Sequence, residues 1–267
     1  MKKILYLTDL YYQAKGRNYC EEDLYITQRL KEHFDLVLCH PKNSQSFESD
    51  VDLVVFRNTG PVTGFKEIYE DFVERVKSNH IKTFNEFTGK ADMCGKQYLL
   101  DLTHKSFPVI PTVGSVDDLK FLPECEKYII KPIDGADSIG LEFLTRNELL
   151  KRDLENTLIQ PAVDFEYEVS FYFIGDKLEY AMYAPDKDRR WELKKYDFTD
   201  EDEDFARRFI EWNDITHGIQ RVDACRTREG ELLLVELEDL NPYLSILELD
   251  SQTRDKFIDD LILSLNE

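Results

Sequence analysis

Three carboxylates and one guanidinium stand close together near the C-terminal end of the chain: Arg221 and Asp223, then Glu236 and Glu238, within QRVDACRTREGELLLVELEDLNPYL (Gln220 to Leu244). The apolar, alternating residues on both sides of Glu229-Gly230 predict two antiparallel strands joined by a tight turn. With a two-residue loop Arg228 faces Glu231, which sets Asp223 opposite Glu236 and Arg221 opposite Glu238. Side chains repeat every two residues along a strand, so all four share one face, with opposed Cβ atoms roughly 4.5 to 5.5 Å apart. The run LLLVEL is apolar on both faces, as in a strand inside a covered sheet. Desolvated, mutually repelling carboxylates there need a positive partner. A divalent cation is one such partner, and ligands that are all oxygen favour Mg²⁺ or Mn²⁺ over zinc. The simpler alternative is a solvated hairpin with one Arg221–Glu238 ion pair.

Elsewhere the chemistry-bearing residues come in short groups, each open to an ordinary structural reading as well. Arg57-Asn58-Thr59-Gly60 follows an apolar run, and Arg57 suits either a substrate carboxylate held by two hydrogen bonds or a plain surface loop. Lys96 falls on a predicted helix from about Asp92 to Leu102. KYIIKPIDGADSIGLEFL (Lys127 to Leu144) reads as a strand ending on Lys131, a Pro132 that stops ladder pairing, and a loop with Gly135, Ser138 and Gly140. Backbone amides of such a loop can close over phosphates with the lysine as point charge, provided Asp134 and Asp137 point away; an ordinary hairpin is the other reading. Gln160-Pro161-Ala162-Val163 offers open backbone groups beside apolar side chains, suited to a flat heteroaromatic ring. Glu168 beyond it is either an acid for ribose hydroxyls or a solvated strand residue. Arg189, Arg190, Lys194 and Lys195 form an anion clamp or a basic loop. No Gly-x-Gly-x-x-Gly follows the first strand, which argues against a dinucleotide site.

The elements that must position these groups fall into three stretches. KKILYLTDL, FDLVLCH, VDLVVFRN and IKTFNE read as strands alternating with helices over Glu21–Phe34 and Phe65–Lys77. Such alternation implies a parallel sheet whose ligands gather beyond the strand carboxyl ends. This gives an N-terminal parallel-sheet domain over 1–87 and a central α+β segment over 88–160, in which Ser115 caps a helix. The rest, 161–267, is an antiparallel-sheet segment with a turn at Gly175-Asp176, a helix whose positive end carries the acidic run Asp200 to Asp204, and a last helix opened by Asp250 or Ser251. The formal charge of -20 argues against nucleic-acid binding and docking on anionic membrane, and it obliges any anionic ligand to find local cations. Five cysteines without a Cys-x-x-Cys pair read as reduced thiols of a cytoplasmic protein. The opening MKKILYLTDL is interrupted at Thr8 and Asp9, so it reads as a first strand rather than a signal peptide or membrane span.

Taken in order, these groups resemble the ATP-grasp superfamily of ligases: an early lysine, a lysine-proline strand end before a small-residue loop, a hinge followed by a glutamate, then R-x-D, E-x-E and an Asn. KQYLLDLTHKSFPVIPT (Lys96 to Thr112) and VELEDLNPYL are similar to stretches of its cycloserine-synthetase-like and bacterial glutathione-synthetase-like branch, and the resemblance spans nearly the whole chain. It implies an α/β and α+β ATP-grasp fold behind an N-terminal parallel-sheet domain. ATP would lie between the last two segments, with Lys96 and Lys131 on its phosphates, Gly135 to Gly140 over them, Gln160 to Val163 around adenine and Glu168 on ribose. Asp223, Glu236 and Glu238 would hold Mg²⁺, with Asn241 a further candidate because Glu236-Leu237-Glu238 replaces the E-x-N of other ligases. Arg221 and Arg190 would steady the transferring phosphate. Arg57, Asn58 and Thr59 would face the substrate, at a place where the branch often has Trp-Asp-Tyr after the arginine. The activity implied is ATP-dependent joining of a small-molecule carboxylate, on an amino acid or peptide, to an amine through an acyl-phosphate; related ligases are often homo-oligomers. A small-molecule kinase or a non-catalytic ATP-binding regulator would use the same constellation.

Overall fold

Apolar runs too short for a helix and flanked by polar residues become strands buried on both faces. In the computed structural model, which describes residues 1–14, 16–133, 140–152, 154–186, 189 and 192–267, β1 (Lys2–Leu7) is the first of these. A short hairpin, β2 (Gln13–Ala14) with β3 (Arg17–Asn18), leads to α1 (Cys20–Leu30). Then come β4 (Phe34–Cys39), β5 (Leu53–Phe56), α2 (Lys66–Ser78) and β6 (Thr83–Phe84). The four longer-range partners form a parallel sheet in the order β4-β1-β5-β6. Leu5, Leu7, Val54 and Phe56 pack against Phe72 and Val76 of α2. Ile4, Tyr6, Leu53 and Val55 point the other way, onto α1 and the last helix. Burial on both faces is why these strands carry runs of apolar residues instead of alternation.

The central segment contains α3 (Tyr98–His104) and a three-stranded antiparallel sheet, β8-β7-β9, made of β7 (Tyr128–Pro132), β8 (Glu142–Leu144) and β9 (Thr157–Pro161), with α4 (Arg146–Leu149) between the last two. Pro132 keeps a ladder place opposite Thr157, so the strand runs one residue past Lys131 rather than stopping there. Lys96 does not sit on a helix. A 3₁₀ turn at Asp92–Cys94 ends on Gly95, whose φ of 87° breaks helical geometry, and α3 begins only at Tyr98.

The C-terminal sheet has the order β12-β11-β10-β13-β14 and is antiparallel throughout: β10 (Phe165–Ile174), β11 (Lys177–Ala184), β12 (Lys194–Lys195), β13 (Ile219–Thr227) and β14 (Leu232–Glu238). Val169, Phe171, Val222, Leu234 and Leu237 on one face pack on Phe205, Phe209 and Ile210 of α5 (Asp200–Asn213). Thr199 caps α5 through a capping box with Asp202. The opposite face is partly covered by α6 (Ser251–Asn266), whose Phe257, Ile258, Leu261 and Leu265 are buried against Tyr180 and the parallel sheet. Asp250 caps α6, accepting from the Thr253 N–H. Among the described residues no helix is long and apolar enough to cross a membrane. All five cysteines are free thiols.

Candidate active site

The β13–β14 hairpin reaches the expected pairing by an unexpected route. Its loop is three residues, Arg228 to Gly230, with Gly230 at φ 88° donating its N–H to the Thr227 carbonyl at 3.0 Å. Glycine tolerates that left-handed conformation, which ends the common three-residue hairpin loop. The extra loop residue puts Ala224 opposite Leu234 and Cys225 opposite Leu233, one step out of the two-residue register. A β-bulge at Val235 then takes up one residue and restores it, so that Asp223 lies opposite Glu236 and Arg221 opposite Glu238.

On this face, carboxylate oxygens of Asp223, Glu236 and Glu238 lie within 4.8 Å of one another. Arg221 ties the cluster together: Nε and Nη2 donate to the two Asp223 oxygens, both at 2.8 Å, while Nη2 also reaches Glu238 Oε1 at 2.5 Å and Nη1 the Tyr243 carbonyl at 2.7 Å. Paired N–H···O bonds of this kind fix orientation as well as charge. Ser170, beside Asp223 on β10, donates to its Oδ1 at 2.6 Å. Loss of water pushes the Glu238 carboxyl up to about 7, a rise to which Asp223 adds and which Arg221 opposes. Three oxygen donors at such spacing fit a hard divalent cation, which takes carboxylates and completes its shell with water or phosphate oxygens.

Lys96 joins this floor from the connecting segment, its Nζ paired with Asp92 Oδ2 at 3.0 Å and with Glu236. Its backbone N–H donates to the Ile133 carbonyl at 2.9 Å, at the edge of the three-stranded sheet. Lys131 on β7 comes near enough to feel it: burial first, then the Lys96 charge, bring the Lys131 ammonium down to about 8. A cavity of about 1020 Å³ opens above this floor, bounded on the far side by Tyr12, Tyr19, Asn58, Lys66 and Glu70 of the parallel-sheet region.

The structure therefore gathers most of the expected residues and sets others aside. Lys96, Glu168, Arg221, Asp223, Glu236, Glu238, Asn241 and Asn58 line the cavity. Gln160, Pro161, Ala162 and Val163 end β9 and follow it without reaching the lining formed by the described residues; the Gln160 amide turns to Thr112 at 2.8 Å. Gly140 stands at the near end of its loop with φ 78°, beside Pro132. Gly135, Ser138 and Arg190 lie outside the described residues. Arg189, of the basic stretch, is exposed and ion-paired with Asp186 and Glu192.

Arg57 is the clear correction. It is 1% exposed, and instead of facing the cavity its guanidinium donates to Glu22 Oε1 at 3.0 Å and the Pro242 carbonyl at 2.9 Å, with Asp23 at 3.6 Å. Thr59 is buried as well, leaving Asn58 as the member of that trio on the cavity wall. A buried arginine needs buried acids, and α1 supplies two that the reading of the strand ends had not included. Asp92 and Ser170 were also missed, although each had a signal: Asp92 is four residues before Lys96, and Ser170 is two after Glu168 on the same strand face.

No protein-family model matches the sequence, and no curated protein matches it. Solved structures do. D-cycloserine synthetase DcsG superposes with a TM-score of 0.75 at 19% identity, covering 97% of this chain and 99% of that one. D-alanine–D-alanine ligase from Bacillus anthracis, complexed with ATP, gives 0.71 at 13% identity over 100% and 98% of the two chains. The macrocyclase MdnC from Microcystis aeruginosa MRC, bound to precursor peptide MdnA, gives 0.72 at 11% identity over 99% and 100%. The chain has the ATP-grasp fold, as its order of motifs implied.

Proposed function

We propose that this protein is an ATP-dependent carboxylate–amine ligase that works through an acyl-phosphate on an amino acid or peptide. The observation that carries the reading is the convergence of Lys96, Arg221 and three carboxylates on one wall of a cavity whose other wall belongs to the parallel-sheet region. In this reading 1–87 forms the substrate side, 88–160 the lid and 161–267 the sheet that carries the metal ligands. Asp223, Glu236 and Glu238, with Asn241 in reserve, hold Mg²⁺ or Mn²⁺. Held there, such a cation would supply positive charge against the phosphate oxygens. Lys96 and Lys131 bind the phosphates, for which Gly135, Ser138 and Gly140 are further candidates; Glu168 takes the ribose, and adenine extends beyond the lining formed by the described residues toward Gln160 to Val163. Arg190 assists Arg221.

The chemistry follows from positioning and charge. A substrate carboxylate oxygen attacks the γ-phosphorus in line, the bond to the β,γ-bridging oxygen breaks, and ADP leaves. The amine nitrogen then attacks the acyl carbon, inorganic phosphate departs with the acyl C–O electron pair, and the ammonium formed loses its proton. Arg221, locked by Asp223 and Glu238, presents a fixed positive charge where negative charge develops, which is worth more than mobile water in a closed cavity.

The test is to incubate the protein with Mg·ATP and a panel of amino acids and short peptides, using hydroxylamine as a general nucleophile. The reading expects carboxylate-dependent ADP release with hydroxamate formation. A phosphorylated alcohol as product would assign a kinase instead, and absence of ADP release with every acceptor would overturn the ligase reading.

A further inference from the structure

One residue after the expected metal ligands stands an acid that no ligand role explains. Asp239 is fully buried, and its carboxylate is occupied by donors from the chain itself. Oδ1 accepts the Met93 N–H at 2.8 Å, and Oδ2 accepts the Ala91 N–H at 3.0 Å and the Asn213 side-chain amide at 3.2 Å. Asn213 in turn accepts the Lys90 N–H at 2.6 Å and donates to Gln220 at 2.8 Å, and both of these side chains are buried. Asn85 closes the same cluster, donating to the Asp239 carbonyl at 2.7 Å and the Ile219 carbonyl at 2.6 Å. At Gly89 a Cβ would run into the Asp239 carboxylate, so the segment passes as close as glycine allows.

These bonds end on the turn that carries Asp92 and Lys96. Between Ala91 and Lys96 the turn is held at one end by Asp239 and at the other by the Lys96 N–H to the Ile133 carbonyl. The Lys96 ammonium then projects to Glu236 on β14, three residues before Asp239, which directly follows that strand. We propose that Asp239 is a positioning residue: by accepting the Ala91 and Met93 N–H groups it sets the place of the Lys96 ammonium over the carboxylate cluster, and so its grip on nucleotide phosphate. The inference rests on the reading of the cavity as an ATP site.

The chemistry makes the carboxylate necessary. Three N–H donors converge on it, and an amide of the same shape has one acceptor oxygen, so Asp239→Asn turns an NH₂ group against at least one of them. The turn would then be released while the carboxylates on β14 stay in their ladder.

The experiment is a double-mutant cycle on the full chain, reading dissociation constants for Mg·ATP and for adenosine by calorimetry. Asp239→Asn is expected to weaken Mg·ATP binding about tenfold while adenosine affinity is unchanged, and to change Mg·ATP affinity less than about twofold when Lys96 is already replaced in Lys96→Met. An equal factor in both backgrounds, an equal loss of adenosine, or no loss of Mg·ATP would each overturn the proposal. If the Asp239→Asn chain does not fold, Asn213→Ala removes one of the three donors and the Lys90 acceptor, and it enters the same cycle with the same criteria. Failure of the wild type to bind Mg·ATP at all would instead reject the ATP site itself.

Discussion

Glu238 is where residue chemistry decides most. It shares Arg221 with Asp223, and its loss of water outweighs that attraction, so its proton is held up to about 7. A cation binds only the carboxylate form, so below that value binding must release a proton and above it need not. Mn²⁺ affinity, followed by electron paramagnetic resonance, should therefore rise from about pH 6 to about pH 8 and level off beyond, a dependence that vanishes in Glu238→Gln. A pH-independent affinity in the wild type would contradict this account of the cluster. Identity of the carboxylates was legible from residue type alone, since acids on an apolar strand need compensation. Asp239 was not, because its role depends on backbone N–H groups of a distant segment, which leave no mark in side-chain types. The period of two does put it on the covered face with Leu237, and that is the one clue the chain contained.

At the scale of elements, the loop after β14 is gripped from several sides. Arg57 and Arg221 take the neighbouring Pro242 and Tyr243 carbonyls, Glu22 accepts the Leu244 N–H at 3.0 Å and Tyr180 donates to the Leu244 carbonyl at 2.8 Å. This ties α1 and the end of β5 to the hairpin that carries the carboxylates. Removing the cation from so buried a group leaves Glu22 and Asp23 uncompensated, so Arg57→Leu should lower the unfolding free energy by about 3–5 kcal/mol in urea titration. A loss below about 1 kcal/mol, the range of exposed pairs, would mean that the acids find another partner. The β13–β14 hairpin shows how far a pattern carries: the face and the final pairing came out as the alternation indicated, whereas loop length and bulge did not. A bulge costs the sequence only one extra residue with no special type, here Val235, so it compensates a longer loop without leaving a signature. Lys96 is the converse, since Gly95 marked the break in helix that the apolar spacing around it concealed.

For the molecule as a whole, the proposed function sets a polyanionic ligand in a chain whose formal charge is -20. Electrostatic attraction at long range is against such a ligand, so in the proposed function affinity would come from Lys96, Lys131, Arg221 and a divalent cation at short range. The alternation of strands and helices was enough to indicate the parallel sheet, and the order of motifs along the chain indicated the ATP-grasp fold that the solved structures share at 11–19% identity. What stayed hidden were contacts between segments far apart in sequence, such as Arg57 with Pro242 and Asp239 with Met93. The measurement that bears most directly on the central claim is calorimetric titration of ATP, with and without Mg²⁺, into the wild type and Glu236→Gln. The account predicts Mg²⁺-dependent binding that Glu236→Gln weakens by at least about tenfold. ATP affinity that ignores both Mg²⁺ and the substitution, or no ATP binding by the wild type, would contradict it.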